Sequence, residues 1–250
     1  MPGRDMDADR AEAAAIEAAA SASGVDLTPD QALALAIQAR LVREAGATMN
    51  LTSILDPEPM RVRHILDSLL PLTLWRDAVA ADGPAVDLGS GAGYPGLPLA
   101  IVGAATIVTL VDATRRKVEF LDDAARRCGV AARAVWGRAE ALGATLPPQA
   151  RVWARAVGPL PVLIELAFGL LEEGGVVVCW KGPEVIGPEA AAGEAACQAL
   201  GGEPLGLRAY ALPEGAGERT LFAYRRGRGR LPPGVPRSPA AIRRRPLSPR

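Results

Sequence analysis

Aromatic residues are scarce: phenylalanine, tryptophan and tyrosine together make up 4% of the 250 residues. RNA-recognition sheets and oligonucleotide-binding barrels need several exposed rings for bases to stack on, so a platform of that kind is not expected. Histidine occurs once, as His64, and the cysteines are only Cys128, Cys179 and Cys197. Three distant cysteines make no disulfide framework and fit a reducing compartment. One histidine and no Cys-x-x-Cys pair leave little from which to build a zinc centre, and no metal is expected. No run of 18 apolar residues occurs, so no membrane-spanning helix is expected. The N-terminus is acidic and alanine-rich and lacks the basic and apolar regions of a secretory signal, which points to the cytoplasm.

Acidic residues are missing altogether after Glu218, whereas Arg219, Arg225, Arg226, Arg228, Arg230, Arg237, Arg243, Arg244, Arg245 and Arg250 follow it. The formal net charge of zero therefore conceals an acidic body and a basic tail. Such asymmetry suits a polyanionic partner; the alternative is a solubilising tail in a protein that uses arginine in place of lysine. At this length and with 49% hydrophobic residues, one α/β domain with appended segments is expected.

Residues 1–26 hold almost no large apolar side chains and read as a flexible or weakly helical extension. Thr28-Pro29 and Asp56-Pro57 are helix starts, each followed by apolar residues at helical spacing, and residues 27–80 read as an N-terminal helical cap. From residue 81 to 226 strands and helices alternate. The strands fall near 85–88, 106–111, 133–135, 152–154, 176–180, 204–211 and 219–224. This pattern predicts a mostly parallel seven-stranded sheet covered by helices on both faces. Residues 227–250, rich in proline and arginine, read as a basic tail that continues neither kind of structure.

The strongest local signal is Val86-Asp87-Leu88-Gly89-Ser90-Gly91-Ala92-Gly93-Tyr94-Pro95-Gly96, between a strand and a helix. Glycines there permit a sharp turn and close approach to a ligand, yet Gly91, Gly93 and Gly96 alone satisfy a dinucleotide pattern. Asp87 separates the readings. A carboxylate just before the turn would repel a pyrophosphate, whereas S-adenosylmethionine has no phosphate and brings an ammonium and a cationic sulfur. Asp112, ending the second strand, suits ribose hydroxyls in either case, and Ala139-Glu140 follows the third strand where an adenine would lie. Both aspartates could instead cap turns. The loop after strand four, Arg155-Ala156-Val157-Gly158-Pro159, has neither an Asn/Asp-Pro-Pro-Tyr grip for an exocyclic amine nor a Pro-Cys nucleophile. It offers a cation, Arg155. A site without an evident base is compatible with methylation of guanine N7, whose lone pair is already available.

Several motifs occur in one order: Asn50-Leu51-Thr52, Val62-Arg63-His64-Ile65-Leu66-Asp67-Ser68, Asp87–Gly96 with Leu97-Pro98, Val111-Asp112-Ala113-Thr114-Arg115-Arg116-Lys117, Arg138-Ala139-Glu140, Arg155-Ala156 and Trp180-Lys181-Gly182. Over about residues 30–250 the chain resembles the bacterial glucose-inhibited division protein B family, the small-subunit rRNA (guanine-N7)-methyltransferase G family. The resemblance implies a Rossmann-like S-adenosylmethionine-dependent methyltransferase fold that methylates a guanine of the 16S rRNA decoding-region loop, at position 527 in the usual rRNA numbering. It implies cofactor contacts at Gly89, Tyr94, Asp112, Ala113, Thr114, Ala139, Glu140 and Arg155, to which the residue chemistry adds Asp87, Gly91 and Gly93. The family's Pro-Gly-x-Pro tail is matched by Pro233-Gly234-Val235-Pro236, but the arginine run lengthens it.

Arg155, His64 and Asn50 are the candidate catalytic residues. His64 could equally be a structural histidine bonded to Asp67 or Ser68, and Asn50 could simply order its loop. Arg63, Lys181, Arg225, Arg226, Arg243, Arg244 and Arg245 are candidate RNA contacts, although Arg63 could pair with Asp67 and Lys181 could cap a turn. The partner expected is 16S rRNA or the small ribosomal subunit, the cofactor S-adenosylmethionine, and the state a monomer. Methylation of another RNA or a small molecule, or a non-catalytic RNA-binding assembly role, stays open on sequence alone.

Overall fold

The computed structural model describes residues 2–46 and 48–248, with side chains from residue 6 onward. Helices α1 (Pro2–Ala22) and α2 (Pro29–Gly46) are followed by α3 (Pro57–Met60), which passes through a π-helical turn at Arg61–Leu66 into α4 (Asp67–Val79). The alternating region then runs β1 (Pro84–Leu88), α5 (Gly96–Ile101), β2 (Ile107–Asp112), α6 (Arg115–Arg127), β3 (Ala132–Trp136), α7 (Ala139–Leu142) and β4 (Gln149–Arg155). It continues through α8 (Leu160–Phe168), β5 (Leu171–Lys181), α9 (Pro188–Ala199), β6 (Glu203–Ala211) and β7 (Glu218–Arg225) to a last short helix, α10 (Pro239–Arg244).

The seven strands form one sheet in the order β3-β2-β1-β4-β5-β7-β6. β1 to β5 are parallel, and β7 runs antiparallel to both its neighbours. The strand order reverses between β1 and β4, so the crevice outside their carboxyl ends is where such sheets bind ligands. Side chains alternate between two cores. Ala85, Trp153, Val178 and Trp180 face the layer holding α1, α2 and α4, and Val86, Val152, Val177 and Cys179 face α8 and α9. That period of two puts Asp87 and Arg155 on the side of the N-terminal helices.

Thr28 and Gln31 start α2 with a reciprocal cap: the Thr28 hydroxyl accepts from Gln31 N at 3.2 Å and the Gln31 side chain accepts from Thr28 N at 2.9 Å. Of the two readings of the N-terminal segment, flexible or weakly helical, the helical one describes Pro2–Ala22, and this helix is packed against the cap. Ile16 and Ala20 are fully buried against the cap, Arg40 binds Asp9 at 2.8 Å, and Arg61 binds Glu12 at 3.2 Å. Alanine contributes little transfer energy, but its small size lets α1 and α2 approach closely, and the ion pairs fix the register.

The tail departs from its expected irregularity. Ser238 caps α10, its hydroxyl accepting from Ala241 N at 3.3 Å, and Ile242 is fully buried against Val162 and Leu166 of α8. Just before it, Arg237 donates to Glu165 from its backbone N (2.8 Å), Nε (2.8 Å) and Nη2 (2.6 Å). One apolar anchor and a buried carboxylate therefore fold a proline-rich segment back onto the sheet's helical cover. Proline supplies the first turn here, with Pro239 at the start of α10.

Candidate active site

The glycine-rich loop leaves β1 with Gly89, Gly91 and Gly93 at φ of +70°, +55° and +92°, a region that residues with a Cβ avoid. Two carboxylates brace it. Asp112, at the end of β2, accepts from Gly91 N (3.1 Å) and Thr114 N (2.8 Å), tying the loop to the turn after the neighbouring strand. Asp87 accepts from Gly96 N at 3.1 Å, an approach that only glycine allows, since a Cβ on residue 96 would lie 2.6 Å from Asp87 Oδ2. Asp112 thus caps a turn, the alternative that the sequence left open, while keeping a free lone pair on each oxygen. The other Asp87 oxygen is buried and accepts no hydrogen bond among the described residues, although the Ser90 hydroxyl lies close enough to favour the ionised form. Burial pushes the Asp87 carboxyl up to about 6.

An unpartnered buried carboxylate oxygen beside a glycine cradle is a measure of what the site can hold. It costs roughly 1–3 kcal/mol unless something supplies positive charge or a donor. The ammonium and sulfonium of S-adenosylmethionine carry that charge, so the residues fit this cofactor and not a pyrophosphate. Ala113 is exposed, Thr114 precedes α6, and Ala139 and Glu140 open α7, all on the same rim.

A cavity of about 590 Å³ lies next to the loop, over the carboxyl ends of β4 and β5, lined among others by Arg63, His64, Arg155, Trp180 and Arg219. Its buried centre is Asp67, and the helical backbone explains how. Pro71 has no N–H to offer the carbonyl four residues earlier, which is that of Asp67. That carbonyl instead accepts from Trp180 Nε1 at 2.9 Å. The Asp67 carboxylate accepts from Arg155 Nη1 (3.0 Å), Arg219 Nε (3.3 Å) and Tyr210 OH (2.6 Å). Residues from α4, β4, β6 and β7 therefore meet at one carboxylate.

Arg155 extends the network. Nη1 donates to the Arg63 carbonyl at 3.3 Å, and Nη2 donates to His64 Nδ1 at 2.8 Å. With Nδ1 accepting, His64 carries its proton on Nε2 and gives it to the Thr52 hydroxyl at 2.8 Å. The imidazole also stacks on Tyr94, centroids 4.6 Å apart, and the Arg155 guanidinium lies 5.7 Å from the Tyr94 ring centre. Burial, reinforced by the Arg155 charge, holds the His64 pKa down at about 3. His64 is a neutral ring with both nitrogens committed, so it positions its neighbours and has no lone pair free to take a proton.

Several expectations are corrected. The His64 ring bonds to Thr52 and Arg155, not to Asp67 or Ser68; the Ser68 hydroxyl donates instead to the His64 carbonyl at 2.6 Å. Arg63 does not pair with Asp67, whose oxygens are taken by Arg155, Arg219 and Tyr210, and its side chain is exposed at the cavity. Lys181 is spent on the Gly158 carbonyl (2.6 Å) and Glu189 (2.7 Å), clamping the loop after β4 to α9. Arg225 and Arg226 sit on the opposite rim, because β7 is antiparallel; Arg225 pairs with Glu203 at 2.7 Å and Arg226 donates to the Leu171 carbonyl. Asn50 is exposed in the loop after α2 and makes no side-chain hydrogen bond among the described residues. Arg243 does come near the site, since a Cβ on Gly158 would lie 3.9 Å from its Nη2, and Arg244 and Arg245 follow it at the end of α10.

Asp67, Tyr210, Arg219 and Thr52 were not among the candidate site residues, although Asp67 and Thr52 fall in the ordered motifs and Arg219 opens the basic run. Pro71, four residues past Asp67 inside a helical pattern, is the one signal that could have pointed to a freed carbonyl there.

The loop after β4 carries strain. Ala156 has φ +58°, outside the comfortable range for a residue with a Cβ, and Val157 lies over Gly89, where an added Cβ would come 2.8 Å from Val157 Cγ2. This loop separates the glycine cradle from the cavity, so a ligand in either lies against it.

Among solved structures, a branched-chain polyamine synthase from Thermus thermophilus is similar over 78% of this chain and 66% of its own, with a TM-score of 0.56 and 17% identity, a likeness of fold. The family model for rRNA small subunit methyltransferase G matches residues 31–215. Relatives bearing the name ribosomal RNA small subunit methyltransferase G include those of Deinococcus deserti, 38% identical with 92% of this chain and 94% of the relative covered, and Symbiobacterium thermophilum, 35% identical with 93% and 96% covered. The chain belongs to the rRNA small subunit methyltransferase G family.

Proposed function

We propose that the protein transfers a methyl group from S-adenosylmethionine to N7 of a guanine in 16S rRNA, at the decoding-region loop, acting as a monomer in the cytoplasm. The observation that carries this reading is that neither buried titratable group lining the cavity beside the cofactor loop is free to take a proton; the other acids there are Glu184, which is exposed, and the half-buried Glu189, which accepts from Lys181 and Leu160 N. His64 has both nitrogens engaged and Asp67 both oxygens, among the described residues. Guanine N7 carries its own in-plane lone pair, so nothing needs to remove a proton before attack. Alignment and exclusion of water suffice. The cofactor supplies an electrophilic methyl on a cationic sulfur.

The protein residues then have defined tasks. Asp87 and Asp112 hold the glycine cradle and balance positive charge, with Gly89, Gly91, Gly93, Ala113, Thr114, Ala139 and Glu140 around the bound molecule. Arg155 has five N–H donors, of which three are spent on Asp67, Arg63 and His64. The remaining two suit guanine O6, next to N7 on the same edge. His64 and Tyr94 keep the guanidinium from swinging away. Arg63, Arg243, Arg244 and Arg245 are left to meet phosphates.

Purified protein, labelled S-adenosylmethionine and small-subunit RNA lacking its own N7 methylation test the proposal. Digestion and mass spectrometry should show 7-methylguanosine. Label in any other nucleoside, or none on RNA or subunits while cofactor binding persists, would overturn it.

A further inference from the structure

Trp136 is the large apolar side chain most exposed to solvent among the described residues, at 56%, in a chain with few aromatics. It ends β3, an edge strand, on the rim that carries the glycine-rich loop, and stands beside Asp112 in the strand register. Its indole is held in place: Nε1 donates to the Ala113 carbonyl at 3.0 Å, and the Arg115 guanidinium lies 5.0 Å from the ring centre. An exposed indole already fixed by a hydrogen bond loses little freedom when something stacks on it.

The charges around it run against helix electrostatics. Arg115, Arg116 and Lys117 occupy the first turn of α6, a helix of 13 residues, where the backbone dipole favours anions. Among the described residues none of the three, nor exposed Arg138 beyond β3, takes part in an ion pair, whereas Arg126 and Arg127 at the other end of the same helix both pair with Asp123. The acidic groups nearest in sequence are Glu119 on α6 and Glu140 on α7, with Asp112 already holding two backbone N–H groups.

We infer that Trp136 and the first turn of α6 form a second RNA contact, a shelf on which a base flanking the target stacks while Arg115, Arg116, Lys117 and Arg138 meet its phosphates. The inference rests on the reading of the chain as an RNA methyltransferase. It differs from the tail in position: three inter-strand steps, roughly 14 Å, separate β3 from β4, so the shelf lies across the cofactor loop from the cavity. A single-stranded segment with one base in the cavity and another on Trp136 would pass over the glycine-rich loop and close it from solvent. A ring with exposed surface and an adjacent arginine is tolerant of base identity, so the shelf contributes affinity and path, with identity set in the cavity.

The test measures RNA affinity by anisotropy of a labelled single-stranded segment from the small-subunit RNA, alongside cofactor affinity by calorimetry. Variants Trp136→Ala and Trp136→Phe are compared with a double variant, Arg115→Gln with Arg116→Gln. Trp136→Ala should raise the RNA Kd about 5-fold or more, and Trp136→Phe should recover most of that. The double variant should flatten the salt dependence by about 1.4 in slope, roughly 0.7 per phosphate. Cofactor affinity should stay at the wild-type value in all three. Unchanged RNA affinity of Trp136→Ala, with wild type binding tightly, overturns the shelf and leaves the methyltransferase reading intact. Weaker cofactor binding with unchanged RNA affinity overturns it too and makes Trp136 a wall of the cofactor site. Wild-type protein that has no affinity for RNA removes both.

Discussion

Replacing Arg237 with alanine should cost the protein a large part of its stability, although the residue lies in a tail rich in proline and arginine. Its partner Glu165 is a fully buried carboxylate on α8. Arg237 meets it with a fork of Nε at 2.8 Å and Nη2 at 2.6 Å, and its own backbone N adds a third bond at 2.8 Å. Substitution removes the two side-chain bonds and leaves the carboxylate with the backbone donor alone. Breaking one side of a buried pair typically costs about 3–5 kcal/mol. Arg237 retains 27% side-chain exposure, so water can replace part of what is lost and the lower figure, about 3 kcal/mol, is the expectation. For a chain of this size each kcal/mol shifts Tm by roughly 2–4 °C, so thermal denaturation followed by circular dichroism should show a fall of about 6–12 °C. Adding Glu165→Leu, which removes the stranded charge, should return several degrees. A drop below about 2 °C, or a double variant less stable than Arg237→Ala, would refute the argument that the tail is anchored by this pair. If the anchor is correct, the same variant should also weaken RNA binding at low salt, because Arg243, Arg244 and Arg245 lose their fixed positions.

Asp112→Ala should raise the cofactor Kd by roughly tenfold, from the loss of charge-assisted bonds worth about 1.5 kcal/mol, with a smaller effect on RNA affinity; equal losses in a folded variant would count against its role. Gly93→Ala places a Cβ at φ +92° and 2.6 Å from Leu97 Cδ1, and should destabilise the fold by about 1–3 kcal/mol in urea titration; a neutral result would mean the loop relaxes freely. Acidification acts on two buried groups in opposite directions. His64 is held at about 3, below its ordinary 6.5, so the unfolded chain takes up that proton first and stability is lost as pH falls from about 6.5 towards 3. Asp87 is raised to about 6 from 3.8, so its neutral form is favoured in the fold and stability is gained as pH falls from about 6 to 4. His64→Gln should therefore lose less Tm than wild type between pH 7 and pH 5, and an identical loss would show that the imidazole is not held neutral. Asp67→Asn should lower methyl transfer at saturating RNA by more than tenfold while cofactor binding holds, measured by single-turnover assays; unchanged turnover would remove Asp67 from the positioning of Arg155.

The sheet was legible because its signals are local. Val86 to Gly96 shows strand, sharp turn and helix within eleven residues, and Ile107–Asp112 reads as a strand from its β-branched run. The meeting of Asp67 with Arg155, Tyr210 and Arg219 was not legible, because these positions lie 88, 143 and 152 residues apart in sequence. Nothing in the local pattern around Tyr210 says which carboxylate its hydroxyl will find. The packing of the N-terminal helix was missed for a different reason. Composition measures transfer energy, and α1 is held largely by two ion pairs and by close alanine contacts around Ile16. Arg225 and Arg226 were grouped with the other basic residues because charge counting ignores strand direction; β7 runs against its neighbours and sets them on the opposite rim.

The convergence on Asp67 also bears on modularity. The sequence divides near residue 80 into a helical cap and a sheet, as if the first were an accessory to the second. Yet a carboxylate from the cap pairs with two arginines of the sheet, and a carbonyl from the cap satisfies the Trp180 indole. Severed at that boundary, the sheet would keep two uncompensated cations and an orphaned donor in what had been its interior. The two parts should accordingly melt in a single cooperative transition. Grafting the sheet under a foreign cap would require the graft to bring its own acid to the same spot.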